Sequence, residues 1–146
     1  MDRPKLILTS DNDIRTLLEE TRRIAILGIK PESRAAQPAF YVSKYVQDSG
    51  YEIVPVPVYY PDVTEILGKH VFRDLRLIPG DLDMVIVFRR TQDIGRHVDE
   101  IIEKSPRSVW FQLGITNDPA AEAFASAGIK VVQNLCIMVE HRALIR

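Results

Sequence analysis

Cysteine is almost missing from the 146-residue chain: Cys136 stands alone, so no internal disulfide can form. A fold stapled by bridges is excluded, and a reducing compartment is the expected setting. No apolar run approaches the roughly 18 residues of a membrane span. The stretch after Met1-Asp2-Arg3-Pro4-Lys5 is too short and broken for a signal peptide. The chain is therefore expected in the cytoplasm, without membrane contact. An excess of one charge is lacking too. With 19 Lys and Arg against 20 Asp and Glu the formal net charge is −1, so no broad positive field would gather nucleic acid, and any anion site must be local.

Metal and catalytic patterns are equally thin. His70, His97 and His141 lie far apart with no zinc-ligand spacing, and no nucleophile, base and orienting group fall into an arrangement that suggests catalysis. No catalytic and no metal-ligating residue is therefore expected, and the three histidines read as structural or exposed. There is no internal repeat, low-complexity tract or linker. An apolar fraction of 46% and a charged fraction of 27% are ordinary for a globular domain. The length suits one domain, residues 1–146, with residues 1–21 as a helical extension packed on it.

What the chain does have is an alternation of two periodicities. From Ser10 onward a capped, acid-led segment places Ile14, Leu17 and Leu18 on one helical face. Ile24 to Leu27 is an unbroken apolar run ending at Gly28, as in a strand buried on both faces. A polar loop over residues 30–37 leads to Pro38, which suits the first turn of a helix carrying Tyr41, Val42, Tyr45 and Val46 and closed by Gly50. Residues 53–58 read as a strand that its two prolines cut short. A short helix is expected at 64–67, a brief strand at Val71 and Phe72, and a turn at Ile78-Pro79-Gly80. Residues 84–88 form the strongest strand pattern, followed by a helix face of Ile94, Val98, Ile101 and Ile102. Val109 to Phe111, a helix opened by Asp118-Pro119 and ended by Gly128, and Ile129 to Val132 complete the series. Strands alternating with helices predict an α/β fold: a Rossmann-like, three-layer α/β/α sandwich on a mainly parallel sheet of five to six strands.

A sheet of that kind binds ligands outside the carboxyl ends of its strands, where the strand order reverses. Those ends are Gly28-Ile29-Lys30 after the first strand and Arg89-Arg90 after the strand ending at Phe88. A glycine admits close backbone approach, and the helix starting near Pro38 directs free N–H groups toward a phosphate. Lys30, Arg34, Arg89 and Arg90 supply charge. The dinucleotide fingerprint G-x-G-x-x-G is absent, since Gly50 is the next glycine after Gly28, and no acid directly follows the second strand. Ordinary NAD binding is disfavoured.

The segments GIK, PAFYVSKYVQDSGYEIVPV, DMVIVFRR, VWFQLGITN and VVQNLCIMVEH, in this order and spacing, resemble the stand-alone CoA-binding proteins. These are relatives of the CoA-binding domain in the α subunit of succinyl-CoA synthetase, and the resemblance spans about residues 22–142. It implies coenzyme A or an acyl-CoA as a nucleotide ligand. Gly28, Ile29, Lys30 and Ala39 would meet its phosphates, Pro57 and Tyr59 its adenosine, Phe88, Arg89 and Arg90 the far wall, and Gln112, Gly114 and Ile115 the pantetheine arm. Two departures stand out: the longer loop over 30–37, which carries Arg34, and Pro57-Val58-Tyr59-Tyr60, where relatives often have an asparagine-proline pair. Cys136 could exchange with a coenzyme thiol, but its apolar neighbours favour a packed small hydrophobe. The expected function is a non-catalytic carrier, sensor or accessory module, partnered by the CoA ligand and by either a second copy in a homodimer or an acyl-CoA enzyme. The alternatives are a NAD(P)-linked or acyl-transfer enzyme using the same crevice, and an interaction protein whose crevice is vestigial.

Overall fold

The computed structural model describes residues 5–145, so the reading of Met1 to Pro4 lies outside it. Five short apolar runs make the central sheet: β1 (Arg23–Leu27), β2 (Glu52–Val56), β5 (Met84–Val87), β6 (Ser108–Phe111) and β7 (Lys130–Val132). All neighbours pair in parallel, in the order β2-β1-β5-β6-β7. Parallel strands need covered crossovers, and the helices α1 (Asp11–Glu20), α2 (Pro38–Asp48), α3 (Val98–Lys104), α4 (Asp118–Ser126) and α5 (Ile137–Leu144) supply the cover.

Side chains alternate between the two faces of the sheet. Ile24, Ile26, Met84, Ile86 and Trp110 pack with Ile14 and Leu18 of α1, Phe40, Val42 and Val46 of α2, and Ile137 of α5. Ala25, Leu27, Val85, Val87, Val109 and Phe111 pack on the opposite side with Ile101 of α3 and Ala121 and Phe124 of α4. This is the three-layer α/β/α sandwich expected from the sequence. Trp110 is fully buried and still donates its indole N–H to Leu135 O at 2.8 Å. Among the described residues no buried side-chain nitrogen or oxygen lacks a partner, and no helix is long and apolar enough to cross a membrane.

Four local expectations need correction. Residues 64–67 are not helical: β3 (Glu65–Ile66) and β4 (Lys69–His70) form an antiparallel hairpin. Its two-residue turn, Leu67-Gly68, takes φ of 53° and 74°, the positive values of a primed hairpin turn. Val71 and Phe72 form no strand of their own; they follow β4, and Phe72 N donates to Pro55 O at 2.9 Å beside β2. The helix face from Ile94 to Ile102 begins as a 3₁₀ segment, Thr91–His97, before α3. Finally, the series does not end with the strand at Val132, because α5 follows it. At the other edge, Leu8 N bonds Val131 O and Val131 N bonds Leu6 O, both at 2.8 Å, so the segment before α1 also lies along β7. Helix α1 is capped by Ser10, whose Oγ accepts from Asp13 N at 3.2 Å.

The chain passes from β1 outward to β2, then crosses back over β1 to β5. The reversal places the switch point, and its crevice, between the carboxyl ends of β1 and β5.

Candidate functional site

The crevice is built around Gly28. Its φ is +88°, and a Cβ there would stand 2.3 Å from Phe88 O, closer than real Cβ contacts allow, so this is a position where only glycine fits. The tight approach continues the ladder, with Gly28 N bonding Val56 O and Phe88 N bonding Leu27 O, both at 2.8 Å. Ile29 then turns into the core, 1% exposed, and Lys30 emerges half-buried. The loop to α2 folds through a 3₁₀ turn, Glu32–Arg34. It is fastened to the hairpin by Leu67 N donating to Glu32 Oε2 at 2.9 Å.

Helix α2 starts with Gln37 at its N-cap and Pro38 in its first turn, and no side chain caps it. By contrast, Ser10 caps α1 and Asn117 caps α4. The Gln37 side chain instead accepts from the Lys30 ammonium. The amino end of α2 therefore faces the crevice with its dipole's positive end and a lysine beside it, a combination suited to an anion.

The opposite wall is the Phe88-Arg89-Arg90 turn after β5. Arg89 Nε donates to His97 Nε2 at 3.2 Å, and the ring donates from Nδ1 to Glu100 Oε1 at 2.6 Å. Glu100 in turn accepts from Leu75 N at 3.0 Å. Arg90 Nε donates to Asp93 Oδ2 at 2.9 Å, and this guanidinium holds the Asp93 carboxyl below the usual carboxylate range. Both arginines thus project from a wall braced by charge-assisted bonds.

Gly114 and Ile115 after β6 close the third side. Gly114 N donates to Asn134 Oδ1 at 2.7 Å, and Asn117 Nδ2 donates to Thr91 O at 3.2 Å, joining this side to the arginine wall. Gln112 faces away from the opening. It is 4% exposed, accepts from Ile137 N at 2.9 Å and donates to Cys136 Sγ at 3.6 Å. Its side chain caps α5 from the residue that follows β6.

The space enclosed is a cleft of about 490 Å³. Of the residues singled out from sequence, Lys30, Ala39, Phe88, Arg89, Arg90, Gly114 and Ile115 line it. Gly28 and Ile29 are not among its lining residues: Gly28 lies against the Phe88 carbonyl and Ile29 packs in the core. Arg34 stands exposed on the 3₁₀ turn, outside the lining. Pro57 is buried after β2, and Tyr59 is 73% exposed, its ring edge-on to Tyr60 at 5.1 Å. Neither lines the cleft. Gln37, Pro38, Thr91 and Gln92 also line it and were not singled out. Thr91 and Gln92 directly follow the arginine pair, and Gln37 precedes the helix-opening proline, so adjacency to those motifs was the available signal. A larger groove of about 710 Å³ runs beside Leu6, Ile7, Thr9 and α4. Its charged lining is one lysine and one glutamate, Lys5 and Glu122, so it offers no excess of positive charge.

Residues 22–142 match the model of a family described as "CoA binding domain". The chain is 35% identical over 132 residues to the uncharacterized protein YneT of Bacillus subtilis, a match covering 90% of this chain and 94% of that protein. A solved structure from Thermus thermophilus, cell-free ID.343, is 32% identical with a TM-score of 0.85, covering 94% of this chain and all of that one. The dinucleotide-forming acetyl-coenzyme A synthetase 1 of Ca. Korarchaeum cryptofilum, solved with phosphate and ADP, shares the fold. At 12% identity and a TM-score of 0.61, the match covers 75% of this chain and 25% of the synthetase.

Proposed function

Because the chain belongs to the CoA binding domain family, we propose that the cleft between β1 and β5 holds coenzyme A, free or acylated, as a binding module rather than a site of turnover. The observation that carries this reading is the convergence, at one switch point, of the Gly28 approach, the uncapped amino end of α2, and the cations Lys30, Arg89 and Arg90. A coenzyme with a diphosphate and a 3′-phosphate needs that kind of lining. Its pantetheine arm runs toward Gly114 and Ile115.

The binding role is supported by what the lining offers. It comprises lysine, glutamine, proline, alanine, phenylalanine, arginine, threonine, glycine and isoleucine. It presents no carboxylate, imidazole or thiol to the cleft as a general base or activated nucleophile. Asp93 and His97 stand behind the arginines and bond to them. A carrier, sensor or accessory module therefore fits better than a transferase. The proposed protein partner of such a module is an acyl-CoA enzyme.

Thermal unfolding with a panel of nucleotides tests the assignment. A ligand at a hundred times its Kd adds about 2.7 kcal/mol of apparent stability. The expected order is coenzyme A and acetyl-CoA first, dephospho-CoA lower because it lacks the 3′-phosphate, and NAD lowest. Equal or greater stabilisation by NAD would favour a NAD(P)-linked enzyme, and no stabilisation by any of them a vestigial crevice.

A further inference from the structure

The arginine wall carries its own anion. Asp93 lies in the 3₁₀ segment directly after the cleft-lining residues, with its side chain 11% exposed and three guanidiniums around it. Arg90 Nε reaches Oδ2 at 2.9 Å, Arg89 Nη2 the same oxygen at 3.9 Å, and Arg96 Nη2 the other oxygen at 3.7 Å. The three arginines are not equivalent. Arg89 is 18% exposed and is also fixed by its bond to His97, whereas the Arg90 side chain is 74% exposed and reaches out over the cleft from Asp93.

We propose that Asp93 is the resident counter-ion of this wall: it holds Arg90 while the cleft is empty and gives it up to a phosphate of the incoming coenzyme. Affinity for the polyanion is then set by competition between one protein carboxylate and the ligand. The inference rests on the coenzyme assignment made above and adds Asp93 to it as a positioning residue.

The exchange is physically cheap on both sides. An ion pair with an exposed guanidinium contributes little, because water and salt screen it. Asp93 would not be stranded afterwards, since Arg89 and Arg96 still neutralise it; a nearly buried carboxylate losing every partner would be costly. Arg89 cannot make the same exchange, because its largely buried charge needs Asp93 and its Nε is committed to His97. One arginine is thus a fixed element of the wall and the other a movable one.

The test is calorimetric titration of coenzyme A into four proteins: wild type, Asp93→Asn, Arg90→Gln, and the double variant. Asp93→Asn is expected to tighten binding about twofold to fivefold, the worth of an exposed pair released, and to steepen its salt dependence. In the Arg90→Gln background the same substitution is expected to change the affinity little, because the competed partner is gone. A weakening or no change on Asp93→Asn overturns the proposal, and so does a gain that persists without Arg90. Should Asp93→Asn fail to fold, the wild type still decides. The Arg90 Nε–H signal in ¹⁵N-labelled protein is expected to shift from its Asp93-bonded position on addition of coenzyme A, and a stationary signal overturns the exchange. If Arg90→Gln and removal of the other cations leave coenzyme binding untouched, the coenzyme assignment itself fails. If they matter while Asp93→Asn does not, only the role of Asp93 falls.

Discussion

Gly28→Ala is expected to destabilise the protein by about 3 to 5 kcal/mol, a large part of the 5–15 kcal/mol typical of a domain. Two costs add. An L-residue at φ +88° pays roughly 1–2 kcal/mol for the left-handed backbone alone. The new methyl would also sit 2.3 Å from Phe88 O, and neither backbone can yield without breaking ladder bonds. Gly28 N to Val56 O and Phe88 N to Leu27 O are both short at 2.8 Å, so the ends of β1 and β5 would have to part. Gly50→Ala is the matched control. Its φ is +103°, but nothing lies within 4 Å of the added Cβ, so only the conformational cost of about 1–2 kcal/mol applies. Urea unfolding of the three proteins checks the difference, and equal losses for Gly28→Ala and Gly50→Ala would show that the close approach is not there.

Replacing Lys30, Arg89 and Arg90 together by glutamine is expected to weaken coenzyme A binding about a hundredfold or more, while leaving the fold intact. A hydrogen bond to a charged group contributes about 1.5–3 kcal/mol, and every 1.4 kcal/mol is a factor of ten in Kd. Even two lost contacts reach that range. Some stability is expected to be lost through Arg89, which is 18% exposed and bonded to His97 and Asp93, whereas Lys30 is half-buried, Arg90 is 74% exposed, and Arg96 still faces Asp93. Calorimetric titration alongside a circular-dichroism melt separates the two effects. Undiminished affinity in a folded triple variant would remove these side chains from the binding account.

The parts of the fold that showed in the sequence are those whose signals are local. Ile24 to Leu27, Met84 to Val87 and Val109 to Phe111 are unbroken apolar runs because both faces of a parallel strand are covered, and each is a strand in the structure. Helices α2 and α4 carry proline in their first turns, and α4 also has its asparagine cap. Helix α5 has no such mark. Its N-cap is Cys136, without a capping side chain of its own, and the bond at Ile137 N comes from Gln112 across the fold. No window of neighbouring residues contains that signal. The β3–β4 hairpin was hidden for a related reason. Leucine rarely takes positive φ, and Leu67 does so with its N–H bonded to Glu32, its carbonyl bonded to Gln47 Nε2 at 3.0 Å, and its side chain packed on the core.

The cleft divides the same way. Gly28, Lys30 and the arginine pair followed from strand ends and topology alone, and the structure brings them to one switch point. Gln112 sits beside that point in sequence order, yet its amide is committed to α5 rather than to the cleft, which only the tertiary fold reveals. Nothing in the sequence singles out Asp93 beyond its place just after the arginine pair. Its importance comes from the arginines that fold back onto it.

The place of coenzyme binding is tested most directly by a crystal structure of the protein with coenzyme A. The diphosphate is expected against the amino end of α2, between Lys30 and the arginines at 89 and 90, with the pantetheine arm extending toward Gly114. Coenzyme found instead in the groove between the Leu6–Leu8 segment and α4, or a cleft closed by the protein's own side chains, would contradict it.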